Sequence, residues 1–404
     1  MPVGTLKDAK VENKTVLLRL DLNSPIDPAT GRILDDKRFR EHLPTIKALS
    51  GSRVVIVTHQ SRPGKKDFTS LEGHAERLGT LLQQKVEYID DIFGKCAREA
   101  VRRMKNGDIL MLENVRFNAE ENLTAKPEEA KKTHLVQRLS RMGDIFVNDA
   151  FGTAHRSQPT MVGLPMVMRS VAGLLMEKEI TYLGRIFGSA PGPVCMVLGG
   201  TKVDDSLSVA EHVLEKGIAD TVIVTGVVAN VFLLAAGHAI GKGSLQLVQQ
   251  LGYEGEVERA RRLLASYRER IAFPETVAVR EEGRRVEYPV DAIPGDATIL
   301  DVGVDAIASL VEKIRSCRTV VFNGPAGVFE DPDFATGTYE LLRAASRSEF
   351  SIIGGGHTAA VAEKMGIDRD FSHISTGGGA CIEFLTGKKL PAVEALERSR
   401  EIFG

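Results

Sequence analysis

The sequence predicts an α/β protein of two doubly wound, parallel-sheet, Rossmann-like domains joined by a helix, with a hinge-bending cleft between them. Short β-branched apolar runs alternate with longer amphipathic stretches along the whole chain, the pattern of strands joined by crossover helices. The runs are apolar at nearly every position, which marks strands covered on both faces. At 404 residues the chain is also long for a single core.

In chain order, the first group of strands is Val16–Leu20, Val54–Thr58, Ile109–Leu112 and Asp144–Val147. Helical patterns over Lys37–Ser50, Leu71–Gln84 and Pro127–Met142 separate them. The second group is Val194–Leu198, Val222–Thr225, Thr298–Val302, Thr319–Phe322 and Ser351–Ile353. Between the groups, "AGLLMEKEITYLGRIFG" (Ala172–Gly188) repeats its apolar residues at helical spacing. The expected division is a first domain over 1–171, a joining helix over 172–188 and a second domain from 189. A single helix between two such domains is suited to hinge closure.

Composition narrows the function. The chain is 43% hydrophobic and 26% charged with a net charge of −2, which gives no reason to expect nucleic acid or an anionic membrane as partner. Cys96, Cys195, Cys317 and Cys381 are scattered, without metal-ligand spacing, as free thiols of a reducing cytosol would be. No apolar run approaches the ~18 residues of a membrane span, and "MPVGTLKDAK" lacks a signal-peptide core. The sequons at Asn13 and Asn122 therefore carry no weight, and a cytoplasmic enzyme is expected.

In open parallel sheets, ligands bind beyond the carboxyl ends of the strands. In the first group those ends read "RLDLNSP" (Asp21, Asn23), "VTHQSRPG" (His59, Gln60, Ser61, Arg62), "MLENVRF" (Asn114, Arg116) and "VNDAFGTAHR" (Asp149, His155, Arg156). Arg38, in "DDKRFR", opens the first helix nearby. Any one of these arginines alone reads best as a solvated surface charge. Several brought to one rim repel unless an anion joins them, and the guanidinium fork matches a phosphate bidentately. A small phosphorylated acid is expected there, oriented by Asp21 and Asn23.

The second group ends differently. "VLGGTKVDDS" supplies Gly199, Gly200, Thr201 and Lys202; "VTGVVAN" supplies Gly226. "VFNGPAGVFED" brings Asn323, Pro325 and Glu330, and "SIIGGGHTAA" brings Gly354, Gly355, Gly356, His357 and Thr358. Glycine turns at strand-to-helix junctions present backbone N–H groups to phosphate, and Glu330 suits ribose hydroxyls. A small acid in one half and a nucleotide in the other imply phosphoryl transfer. No G-x-G-x-x-G follows the first strand, and "GHAIGKGS" (Gly237–Ser244) is one spacer short of a P-loop and reads as a loop.

These residues resemble the phosphoglycerate kinase family over essentially the whole chain. The resemblance rests on "RLDLNSPID", "THQSRPG", "MLENVRF", "NDAFGTAHR", "GLLMEKE", "LGGTKV", "VFNGPAGVFE", "GGGHTAA" and "HISTGGGA", in that order. It implies reversible transfer between 1,3-bisphosphoglycerate and Mg-ADP, yielding 3-phosphoglycerate and ATP in glycolysis and gluconeogenesis. It further implies that 189–380 binds nucleotide and that 381–404 returns to the first domain. By resemblance Asp21 and Asn23 meet the glycerate hydroxyl and carboxyl, and His59, Arg62, Arg116 and Arg156 hold the 3-phosphate. Arg38, Lys202 and the amides of Gly354–Gly356, with Gly355 and Gly356 foremost, meet the transferring group. Asn323, Pro325 and Glu330 hold adenosine. Mg2+ enters with the nucleotide, and a monomer is expected.

Three departures stand out. Ser206 replaces a second lysine, Gln158 replaces a histidine, and His357 stands where the family has a metal-binding aspartate. They resemble the archaeal branch, and they leave the metal to the nucleotide, water or a carboxylate such as Asp204 or Asp205. A kinase acting on another small acid would need changes at Asp21, Asn23 or the arginines, and a non-catalytic relative would not need Arg38 and Lys202.

Overall fold

The run "TVLLR" becomes the strand β1 (Thr15–Arg19), buried at every position, at the centre of a six-stranded parallel sheet in the computed structural model, which describes residues 3–404. The chain continues through α1 (Lys37–Ala48), β2 (Arg53–Val57), α2 (Glu72–Leu82), β3 (Val86–Ile89), α3 (Lys95–Arg103) and β4 (Ile109–Leu112). Then come α4 (Pro127–Ala130), α5 (His134–Leu139), β5 (Ile145–Asn148), α6 (Pro159–Val162), β6 (Ser170–Ala172) and α7 (Leu174–Ile186). The sheet order is β3-β4-β2-β1-β5-β6.

Its two faces bury different residues of the same strands. Val16, Leu18, Val54, Ile56, Ile145 and Val147 join one core cluster, and Leu17, Val55, Val57, Leu110 and Phe146 the other. Both sets of an alternating pattern are thus apolar, which is why the runs read as continuous. Each fully buried Val, Leu or Ile contributes about 1.5–3 kcal/mol.

The second half builds β7 (Val194–Leu198), α8 (Val203–Glu215), β8 (Thr221–Val224), α9 (Gly226–Ala236), α10 (Lys242–Gln250) and α11 (Glu254–Tyr267). It continues with β9 (Ile271–Ala272), β10 (Thr276–Glu281), β11 (Arg284–Pro289), β12 (Ile299–Val302), α12 (Val304–Arg315), β13 (Thr319–Asn323) and α13 (Thr336–Ala345). It closes with β14 (Phe350–Gly354), α14 (Gly356–Lys364), β15 (His373–Ile374) and α15 (Gly379–Leu385), before the terminal α16 (Pro391–Phe403). Its parallel sheet has the order β15-β14-β13-β7-β8-β9. One compact unit runs to Thr181 and takes back Lys389–Gly404; the other is Tyr182–Lys388. α16 packs within the first unit, where Ala392 N donates to Ala154 O (3.1 Å) and Ser399 Oγ accepts from Ser170 N (3.0 Å).

Three expectations are corrected. The strand read at Thr298–Val302 leaves the parallel sheet: β12 pairs antiparallel with β10 in a separate three-stranded sheet, β11-β10-β12. The single helix expected over Pro127–Met142 breaks at Lys131–Thr133, where Thr133 Oγ1 caps a new helix by accepting from Val136 N. Lys242, in the stretch read as a loop, starts α10. Among the described residues no helix is long and apolar enough to cross a membrane.

Candidate active site

Each parallel sheet reverses its strand order beside its first strand, β1 in one and β7 in the other. At such a switch point the loops on either side diverge and leave a crevice at the carboxyl ends. The residues singled out after β1, β2, β4 and β5 therefore gather in the first unit. Asp21 is 3% exposed and receives a hydrogen bond from Arg38 Nη1. Burial alone would raise its carboxyl, but Arg38, ahead of His59, His42 and Arg19, brings it down to about 2. Asn23 N donates to Asp21 Oδ1 (3.3 Å), and Asn23 Oδ1 accepts from Ser61 N (2.9 Å). Ser61 holds a left-handed backbone (φ 56°), and its carbonyl accepts from Arg116 Nη1.

Arg116 is buried, placed by Asn114, whose Oδ1 accepts from Arg116 N (3.2 Å). Burial, then the neighbouring Arg156 and Arg19, lowers its guanidinium to about 10, so it remains charged at neutral pH. Arg156 is half-buried, its Nε donating to His155 Nε2 (3.4 Å), and Arg62 is exposed. His59 is fully buried, and burial foremost, then Arg19, pushes its imidazole well below 6.5. Arg19 Nη2 lies 3.3 Å from His59 Nδ1, which must accept, so the ring proton sits on Nε2. That buried Nε2–H has no partner. Gln60 is a correction. Its Oε1 accepts from Ser24 N (3.1 Å) and lies 3.1 Å from His74 Nε2, and its Nε2 donates to Ser24 O (3.0 Å). Its amide is taken up by these bonds, so it shapes the loop rather than facing a ligand.

Sequence reading missed the layer beneath. Arg19, read as part of an apolar strand, is 1% exposed and lies 3.7 Å from the equally buried Glu121. Thr160 ties the pair: its Oγ1 accepts from Arg19 Nε (3.0 Å), and its N donates to Glu121 Oε2 (2.9 Å). His42 and Asp149 form a second buried pair, Nδ1 to Oδ2, at 2.8 Å.

In the second unit the predicted residues line one pocket of about 490 Å3. Gly200, Thr201, Lys202, Gly226, Asn323, Pro325, Glu330, Gly355, Gly356, His357 and Thr358 all face it; Gly354, the buried last residue of β14, does not. The N-termini of α8, α9 and α14 converge there, and their dipoles favour an anion. Backbone bonds knit the loops, with Gly200 N donating to Pro325 O (2.8 Å) and Gly226 N to Ala326 O (3.1 Å). Gly226 must be glycine: φ is 59°, and a Cβ would come within 2.8 Å of Gly200 N. Thr358 Oγ1 accepts from Gly324 N (3.1 Å).

The lining also includes apolar side chains, among them Val227, Leu233, Leu247, Val277 and Phe329. Asn230 sits among these residues, 2% exposed, its Oδ1 without a partner. Nothing in the sequence distinguished it from an ordinary helix residue. Ser206, considered as a lysine substitute, is buried with an unpartnered Oγ and does not line the pocket. The Lys202 ammonium and the His357 imidazole do line it.

Among the described residues no three His, Cys, Asp or Glu side chains cluster to cage a metal. His357 is exposed at the positive end of α14, and Mg2+ prefers oxygen ligands. Asp301 and Glu330 line the pocket itself, and two more carboxylates stand in the first turn of α8: Asp205 Oδ2 lies 4.0 Å from Lys202 Nζ, and Asp204 Oδ1 accepts from Tyr253 OH at 3.4 Å. This donor set suits a hard cation carried mainly by a ligand's own oxygens and water.

The comparisons agree with this geometry. The family model for phosphoglycerate kinase matches residues 6–388. The phosphoglycerate kinase of the archaeon Methanocorpusculum labreanum is 59% identical over 404 residues, 100% of both chains. That of Methanothermobacter thermautotrophicus is 50% identical over 399 residues, 98% of this chain and 97% of that protein. The crystal structure of phosphoglycerate kinase from Pyrococcus horikoshii OT3 matches with TM-score 0.91 at 44% identity, covering 99% of this chain and 100% of that one. The structure of phosphoglycerate kinase from Coxiella burnetii matches with TM-score 0.84 at 34% identity, covering 98% and 99%. The chain belongs to the phosphoglycerate kinase family, and its reaction is the reversible glycolytic transfer of a phosphoryl group between 1,3-bisphosphoglycerate and ADP.

Proposed function

We propose that the two anion-binding faces divide that reaction between them. The first unit binds the glycerate substrate: Arg62, Arg116 and Arg156 grip the non-reacting 3-phosphate, and His59 donates its Nε2–H to it. Asp21 and Asn23 meet the hydroxyl and carboxyl. The second unit binds the nucleotide, with adenosine against Asn323, Pro325 and Glu330. Its phosphates lie on Gly200, Thr201, Gly226, His357 and Thr358. Arg38, Lys202 and the amides of Gly355 and Gly356 meet the phosphoryl group in transfer.

The chemistry asks little else of the protein. Towards 1,3-bisphosphoglycerate, a carboxylate oxygen of 3-phosphoglycerate attacks the γ-phosphorus of ATP, and the bond to ADP's oxygen breaks. The nucleophile is already ionised, no proton moves, and no general base is needed. Positioning and electrostatic stabilisation of a loose transition state remain. Asp204 or Asp205 would hold the water shell of a nucleotide-borne Mg2+, and the ion would supply charge neutralisation to the phosphates.

The observation that carries the glycerate assignment is the group around His59. After burial, Arg19, Arg116 and Arg156 all depress the imidazole, whose buried Nε2–H has no partner. Such a cluster lacks an anion. Calorimetric titration with 3-phosphoglycerate and with glycerate tests it. The phosphate should be worth at least about 100-fold in affinity, as expected for several charge-assisted hydrogen bonds. Equal binding of the two would end this reading.

A further inference from the structure

We propose that His42 is a positioning residue for phosphoryl transfer, holding the Asp21 loop at the register the substrate meets. The inference rests on the reading that Asp21 touches 3-phosphoglycerate. One face of α1 carries Arg38, His42 and Thr45, spaced i, i+4 and i+7. Arg38 Nη1 donates to the Asp21 carboxylate. One turn on, His42 Nε2 accepts from the Asp21 backbone N–H at 3.2 Å. A backbone N–H can only donate, so the ring proton sits on Nδ1 and is given to Asp149 Oδ2 at 2.8 Å.

Asp149 is itself immobilised. Its Oδ1 accepts from Leu175 N (2.9 Å) and Met176 N (3.2 Å), and Thr45 Oγ1 accepts from Leu174 N (3.0 Å). Three N–H groups at the start of α7 are thereby satisfied by first-unit side chains. His42 is 2% exposed and Asp149 0%, so no water replaces either bond. Asp21 is thus held twice from α1, side chain by Arg38 and backbone by His42, and the brace ends on a helix terminus. A displacement of about 1 Å at such a centre costs about 100-fold in rate.

The two ends of the ring can be tested separately. In His42→Gln the side-chain oxygen reaches the Nε2 position and accepts from Asp21 N. In His42→Asn the shorter amide reaches only the Nδ1 position and donates to Asp149. Steady-state kinetics of His42→Gln, His42→Asn and His42→Ala, with thermal melts, form the test. His42→Ala should raise the 3-phosphoglycerate KM about tenfold and lower kcat by up to about 100-fold, with the ATP KM unchanged. His42→Gln should recover most of this and His42→Asn little, even where the two melt alike. Equal kinetics in the His42→Gln and His42→Asn variants, or parallel rises in both KM values that follow melting temperature, would overturn the proposal. Asp21→Asn separates the premises. If it raises the 3-phosphoglycerate KM while the His42 variants stay wild-type, only this inference falls; if it leaves that KM unchanged, the substrate reading falls with it.

Discussion

Replacing Arg38 by alanine separates its two jobs, because the structure sets a size for each. Arg38 is the first of the charges that bring the Asp21 carboxyl down to about 2 against burial. Returning that carboxyl to its ordinary 3.8 removes about 1.36 kcal/mol of stabilisation per pH unit. The Arg38 side chain is 41% exposed, so screening and incoming water leave about 1–2 kcal/mol. For a unit of this size the melting temperature falls by about 2–8 °C, and the variant stays folded at 25 °C. The catalytic loss is larger. A cation placed on a loose phosphoryl transition state is worth about 10³-fold, or about 4 kcal/mol of barrier. Coupled spectrophotometric kinetics with 3-phosphoglycerate and ATP should show kcat down about 10³-fold and the 3-phosphoglycerate KM raised less than tenfold. Arg38→Lys should recover only part, since a point charge lacks the guanidinium fork. Weaker binding with an unchanged kcat would refute the placement of Arg38 at the transferring group.

Other consequences can be measured independently. His59 is depressed well below 6.5, so the unfolded chain binds a proton there that the native state refuses. Stability should therefore fall as pH drops below about 6.5, and ring-nitrogen NMR should show His59 uncharged with its proton on Nε2; an ordinary titration near 6.5 contradicts the burial argument. Asp21 has the opposite sign: its contribution is complete above 3.8 and lost as pH falls towards about 2. The stability gap between wild type and Asp21→Asn, read from urea melts, should close across that window, and a constant gap would show that Arg38 does not hold the carboxylate. His357→Asp adds an oxygen ligand beside the phosphates and should lower the Mg2+ concentration needed for half-maximal rate; unchanged metal dependence would count against a nucleotide-carried ion. Solution scattering should show compaction only with 3-phosphoglycerate and nucleotide together, and a fixed radius of gyration would confine any closure to side chains.

What the sequence made legible follows from how local each signal is. β1, β4 and β7 are buried on both faces, so their composition alone marks them. β10 and β11 escaped because they mix charges with apolar residues and turn at Glu282–Gly283, both at positive φ, a hairpin signal without the usual Asn or Asp. β3 alternates at a sheet edge, and β6, β9 and β15 are two or three residues long. The residues proposed to face ligands were legible as a group because they follow strand ends. Their supports were not: His42 and Asp149 are 107 residues apart, and Arg19 and Thr160 are 141 apart. No spacing rule reaches that far. Gln60 shows the converse, a residue between functional neighbours whose amide is taken up by Ser24 and His74.

The two faces solve one electrostatic problem in different ways, and the difference fits the fate of each anion. In the proposed arrangement the 3-phosphate would meet the guanidinium groups of Arg116 and Arg156, with Arg19 buried behind them. That phosphate does not react, so strong and geometrically specific binding serves to fix the carboxylate's position. The pocket proposed for the nucleotide has the Lys202 ammonium and the His357 imidazole, and otherwise offers three helix N-termini. A polyphosphate gripped by several arginines would be stabilised equally before and after transfer, and such uniform binding slows release without lowering the barrier. Helix amides carry fractional charge, do not titrate, and lie where Gly355 and Gly356 leave the backbone open to the phosphoryl group. On this reasoning, adding charge at Ser206 would gain little, since its side chain is buried away from the pocket; Lys202 and the Gly355–Gly356 turn are where nucleotide binding becomes catalysis.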